Sequence, residues 1–99
     1  MNMHNPAHAG QLVAEWLGSL KHNGRSIGVT QLAQHIQITR HKLSRIIHGK
    51  TSLSADIALR LEAALGISSD LLMRVQVKHD LWVAARRIRP NIQPLFAMI

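Results

Sequence analysis

The 99-residue chain has no cysteine and no tyrosine, and it holds only one phenylalanine and two tryptophans. Without cysteine there is no disulfide framework and no thiolate metal site, which fits a reducing compartment. With so few aromatics, the apolar share must come from Leu, Ile and Ala. That composition favours a helical bundle over a β-sandwich. No apolar run reaches the length needed to span a bilayer, and the start MNMHNPAHAG has no basic segment followed by an apolar one. The expectation is therefore a cytoplasmic protein of one compact domain.

Acids are also scarce: Glu15, Asp56, Glu62, Asp70 and Asp80 face twelve lysines and arginines, for a formal charge of +7. Between residues 16 and 55 there is no acid, yet Lys21, Arg25, Arg40, Lys42, Arg45 and Lys50 all fall there. A field of one sign over a continuous segment points to a polyanionic partner, most simply nucleic acid, whereas an ordinary solvated face mixes both signs as residues 56–80 do.

Apolar spacing predicts five helices and no strand. Leu12, Trp16 and Leu20 line a first helix over residues 7–22, blurred at its start by Asn5-Pro6 and Gly10 and followed by a glycine-containing loop over 21–28. Leu32, Ala33 and Ile36 share one face of a short helix over 30–37. Thr39 caps the next, with Leu43, Ile46 and Ile47 apolar and Gly49 at its end. Ser54 caps a fourth helix that stops at Gly66 and carries Asp56 in its first turn. A fifth opens at Ser68 or Ser69 and runs to about Arg87, after which Pro90 and Pro94 forbid a regular helix.

The second and third helices are joined by only a residue or two, around Gln37-Ile38, so they must cross steeply. Ala33 permits close packing, and Leu32, Ile36, Ile38, Leu43 and Ile46 hold the angle. This is a helix-turn-helix over about residues 29–48, whose second helix would lie in the major groove of duplex DNA. Arg40, His41, Ser44 and Arg45 are the candidates for base edges; an arginine bidentate to guanine O6 and N7 is worth roughly 1–3 kcal/mol of discrimination. Thr39, Lys42 and Lys50 are the candidates for backbone phosphates. Gln37 occupies the turn position where glycine is usual and would need a positive φ.

Seven histidines raise the question of a metal. His4 and His8 are four apart, but Asn5-Pro6 interrupts the helix that would align them and no third ligand follows. His35, His41 and His48 lie on or beside the third helix, and their protonation below about pH 6.5 would add to its cationic field. No nucleophile-base set, carboxylate pair or glycine-rich phosphate loop is present, so no catalytic, cofactor-binding or metal-ligating residue is expected. Trp16, Leu72, Met73 and Trp82 are read as core or interface. The segment Arg86-Arg87-Ile88-Arg89 is open between a second DNA contact, a protein contact and a solvated helix end, and the apolar end Leu95-Phe96-Ala97-Met98-Ile99 either packs or marks an interface.

The run Thr39-Arg40-His41-Lys42-Leu43-Ser44-Arg45-Ile46-Ile47-His48-Gly49-Lys50-Thr51 resembles the recognition helix and following loop of the phage-repressor-like (Cro/C1, Xre-type) family. The later runs LSADIALRL at 53–61 and ALGISSD at 64–70, with Gln76 and Asp80-Leu81-Trp82, are similar to the HigA-type antitoxins of that family. The likeness spans about residues 4–84. It implies a five-helix phage-repressor-like bundle over residues 1–88, with a short tail over 89–99. It also implies a dual role: neutralising a RelE-like toxin that cleaves mRNA at the ribosome, and repressing its own operon as a homodimer on a palindromic operator, in the cytoplasm at the nucleoid. Two alternatives are a stand-alone prophage-type regulator without a toxin and a protein-binding scaffold that has kept the helix-turn-helix.

Overall fold

The structure is a computed structural model that describes residues 5–19, 21–22 and 25–96, with side chains throughout except at 21–22 and 25–26. Five helices form among these residues: α1 (Ala9–Ser19), α2 (Val29–His35), α3 (Arg40–Ile47), α4 (Ala55–Leu65) and α5 (Ser69–Ala85). The expected all-α bundle is what the chain adopts, with one addition. Part of the 21–28 segment is a small antiparallel hairpin, β1 (Lys21–His22) with β2 (Arg25–Ser26), in which Lys21 pairs with Ser26 and His22 with Arg25. Two-residue strands are too short to leave any alternating pattern in the sequence. His4 and residues 97–99 lie outside the described residues, as does Leu20 of the first apolar stripe.

The helix boundaries follow capping chemistry. Thr39, Ser54 and Ser68 are all extended, and their hydroxyls accept from the backbone N–H of Lys42, Ile57 and Leu71. Each satisfies one of the donors that a helix start leaves open. α3 ends in a reciprocal pair of bonds: the Lys50 N–H donates to the Arg45 carbonyl at 2.8 Å and the Gly49 N–H to the Ile46 carbonyl at 3.1 Å. With Gly49 at φ 73°, this is the Schellman termination that glycine makes inexpensive.

One core serves the whole domain. Val13 and Leu17 of α1, Leu32 and Ala33 of α2, Leu43 and Ile46 of α3, Ile57 and Leu61 of α4, and Leu72 of α5 are buried together, with Ile36, Leu53 and Ile67 from the connections. α1 packs on α3 and α5, α2 on α3, and α4 on α5. Gly10 lies buried inside α1, where a Cβ would collide with the Ile46 carbonyl oxygen of α3. It is a close-approach residue in the first turn of α1, which begins at Ala9 and not at residue 7. Trp16, read as core or interface, is 39% exposed, and its indole N–H donates to the Leu65 carbonyl at 3.0 Å over the end of α4. Leu72 is fully buried and Met73 and Trp82 are half-buried, with the Arg86 guanidinium 4.6 Å above the Trp82 ring.

Beyond α5 the chain is non-helical through residue 96, as the prolines require. This tail stretches the molecule to 65 Å along its long axis, with a radius of gyration of 17.0 Å, against about 13 Å for a compact chain of this length. Ile88, Ile92, Leu95 and Phe96 are all exposed along it.

Candidate nucleic-acid interface

α2 and α3 are held at a steep angle by a turn that relies on one unusual residue. Gln37 has φ 63°, in the left-handed region, among the described residues the one non-glycine there. The Ile38 N–H donates to the Ala33 carbonyl at 3.0 Å and the Gln37 N–H to the Gln34 carbonyl at 3.2 Å. The turn is thus the same Schellman geometry that glycine serves after α3, imposed here on a glutamine. Its cost is offset by a residue from another helix. Arg60 of α4 donates to the Ile36 carbonyl at 3.0 Å and to the Gln37 carbonyl at 3.3 Å, while its other amino group sits 3.1 Å from Asp56. Nothing in the local pattern marked Arg60 beyond its spacing from Asp56, which allows an ordinary i,i+4 pair.

At 100° per residue, Leu43, Ile46 and Ile47 turn α3 toward the core, and Arg40, His41, Ser44 and Arg45 share an outward arc of roughly 140°. Thr39, Arg40, His41, Lys42, Arg45 and Lys50 are exposed and Ser44 is half-buried. The structure therefore brings all seven candidate residues to one segment at the surface, but they are not equivalent. The Thr39 hydroxyl oxygen accepts from the Lys42 N–H at 3.0 Å, leaving its O–H free to donate outward. The Ser44 carbonyl accepts from His48 Nδ1 at 2.8 Å, so that His48 is turned back on the helix. The Arg45 guanidinium reaches the Lys50 carbonyl at 3.5 Å, a long bond that leans it toward the loop after α3. Arg40, His41 and Lys42 make no side-chain hydrogen bond or ion pair among the described residues.

Charge is managed differently across the rest of the surface. The ion pairs among the described residues, Arg60–Asp56 and Arg74–Asp70, both lie within α4 or α5. Glu62 accepts from the Ser69 N–H and hydroxyl, and Asp80 accepts from Ser52 and from Gln76 at 2.8 Å. Among the described residues no carboxylate pairs with a cation of α3.

The loop that carries Lys50 is buttressed from behind. Gln76 is a buried polar residue; its carbonyl oxygen accepts from the Ala9 N–H at 3.4 Å, and its amide group donates to Asp80 and to Ser52 at 3.5 Å. One side chain thereby ties the start of α1, the α3–α4 loop and α5. His8 packs beside it, against Gly49 and edge-on to His79 with ring centroids 5.3 Å apart, while His79 Nδ1 donates to the Pro6 carbonyl at 2.9 Å. Burial pushes the His8 imidazole below its usual value, and the neighbouring His79 and His48 add to the effect.

The helix-turn-helix family profile matches residues 20–72 of the chain. Over 95 residues the chain is 36% identical to virulence-associated protein A′ of Dichelobacter nodosus, covering 95% of this chain and 78% of that protein. It is 31% identical over 78 residues to antitoxin HigA-1 of Vibrio cholerae, covering 74% and 73% respectively. Its fold superposes with a TM-score of 0.73 on antitoxin HigA of Pseudomonas aeruginosa, solved with the higBA promoter, at 25% identity over 91% of this chain and 98% of that one. A helix-turn-helix whose profile spans more than half of the chain, set in a fold shared with HigA over nearly all of it, places this protein among the HigA-type antitoxins of the helix-turn-helix family.

Proposed function

We propose that the chain is a sequence-specific DNA-binding antitoxin that represses its own operon. The observation that carries this reading is the outward face of α3, where exposed cations have no carboxylate partner among the described residues while every described acid of α4 and α5 is engaged within its own half of the fold. An uncompensated cationic helix held rigidly against a supporting helix suits a polyanionic groove, and the presence of promoter DNA in the Pseudomonas structure supports the same use here. Arg40, His41, Ser44 and Arg45 would read base edges; Thr39, Lys42 and Lys50 would hold phosphates.

The same reading has the protein act as a homodimer, with two copies of α3 about 34 Å apart on a palindromic operator. Its supporting observation is the exposed apolar series Val77, Leu81, Ile88, Ile92, Leu95 and Phe96 along α5 and the tail. Residues 1–88 would form the DNA-binding domain and 89–99 the tail. Membership of the HigA group supports a toxin partner, which we assign to the RelE-like ribonucleases, and a cytoplasmic, nucleoid-associated place of action; among the described residues no helix is long and apolar enough to cross a membrane.

A mobility-shift assay with the region upstream of the gene tests the DNA reading. Binding is expected, and Arg40→Ala or Arg45→Ala should relax preference at particular base pairs by roughly 1–3 kcal/mol. Unchanged preference in both variants would remove the assignment of base-reading residues. Purification from the host, with identification of any small protein that comes with it, tests the toxin.

A further inference from the structure

The cationic surface does not end with α3. A cleft of about 440 Å³ separates the α3–α4 loop from the last turns of α5, and Lys50, Thr51, Ser52, His79, Asp80 and Arg87 line it. Arg87 also lines an adjoining cleft of about 470 Å³, together with Arg89. Lys50, Arg87 and Arg89 thus line two clefts that share Arg87, although 37 and 39 positions of sequence separate the first from the other two. Asp80 is the one carboxylate among the residues lining them, and it is held by the Ser52 hydroxyl at 3.2 Å and the Gln76 amide at 2.8 Å. Neither Arg87 nor Arg89 has an ion-pair partner among the described residues. Arg86 does not join them, because its guanidinium is stacked on Trp82. Arg89 directly precedes Pro90, a position where the proline ring disfavours helical backbone.

We infer that Arg87 and Arg89 extend the DNA-binding surface as a second row of phosphate contacts, taking the phosphodiester backbone of the same duplex that α3 enters. Continuity carries the assignment: Lys50 belongs both to the loop after the recognition helix and to the cleft that Arg87 closes. Exposed ammonium and guanidinium groups without a carboxylate partner suit backbone phosphates, which position a protein without reading sequence. The inference rests on the DNA reading above.

The test is the salt dependence of binding to a duplex of the upstream region. Each phosphate neutralised contributes about −0.9 to the slope of log K against log salt. The double variant Arg87→Ala/Arg89→Ala should flatten the slope by roughly 1.8, so that its deficit relative to the parent shrinks by roughly tenfold between about 50 and about 200 mM salt. It should weaken operator and unrelated duplex alike. Arg87→Lys/Arg89→Lys should keep the slope, and Lys78→Ala, on the opposite side of α5, should leave it unchanged. An unchanged slope in a fully helical alanine double variant overturns the inference while the DNA reading stands. Loss of a co-purifying protein partner with duplex affinity intact overturns it in favour of an acidic protein surface. Failure of the parent protein to bind any duplex removes both readings together.

Discussion

The helix-turn-helix and the α4–α5 pair differ most in where their charges end. In α4 and α5, Asp56 and Asp70 each meet an arginine one turn on, Glu62 caps the start of α5, and Asp80 secures Ser52 and Gln76. The acids there are engaged locally. In α3 the cations meet no acid among the described residues, and the helix is held in place by apolar packing, a threonine cap and a clamp from Arg60. The division is economical in a small protein: one half spends its polar groups on holding the frame, which leaves the other half's charges available to a partner. Arg60 is the link between the two, since its partner Asp56 lies in the first half and its acceptors in the turn of the second.

Breaking the frame under α3 should have the largest effect. Leu43 is fully buried at the junction of α1, α2 and α3, so Leu43→Ala should cost about 2–5 kcal/mol, read as a shift of the urea midpoint without a change in slope. Cutting the link comes next. Arg60→Ala removes two hydrogen bonds to turn carbonyls and should cost about 1–2 kcal/mol, discounted for the partial exposure of the guanidinium. Its effect on duplex affinity should exceed that of any other α4 surface substitution, because the α2–α3 angle loosens; equal affinity in the variant and the parent would mean that the turn does not need its clamp. The opposite change sharpens the point: Gln37→Gly relieves the left-handed backbone strain while keeping both carbonyl acceptors, and should raise stability by about 0.5–1 kcal/mol in thermal melts. The smallest effect belongs to the exposed α5 pair. Asp70→Asn should change stability by less than about 1 kcal/mol, and less still at high salt, since both partners are largely solvated.

Much of this organisation was legible before any coordinates. Thr39, Ser54, Gly49 and Gly66 mark helix ends through chemistry confined to a turn or so of chain and act where the sequence placed them, and of the two serines offered for the start of α5 it is Ser68 that caps. The acid-free stretch from 16 to 55 marked the segment whose α3 cations lack a carboxylate partner among the described residues, and the single awkward residue in its turn, Gln37, does take the positive φ that its position demanded. What was not legible is just as specific. Trp16 was read as core or interface because its spacing matched the apolar stripe, yet its indole needs an acceptor and finds one at the exposed end of α4. Gly10 was read only as blurring a helix start, because the carbonyl it accommodates belongs to a residue 36 positions later.

The chain by itself therefore determined where its helices begin and stop, which faces are apolar, and which segment carries unopposed positive charge. These depend on neighbours within a few residues, where capping geometry and the helical period act directly. The tertiary structure alone decided that Arg60 clamps the turn, that Gln76 ties three elements behind Lys50, and that Arg87 closes a cleft begun by Lys50. Such pairings join residues 23 or more positions apart, and no local periodicity encodes them. They exist only because packing of one shared core brings distant turns of chain to the same place.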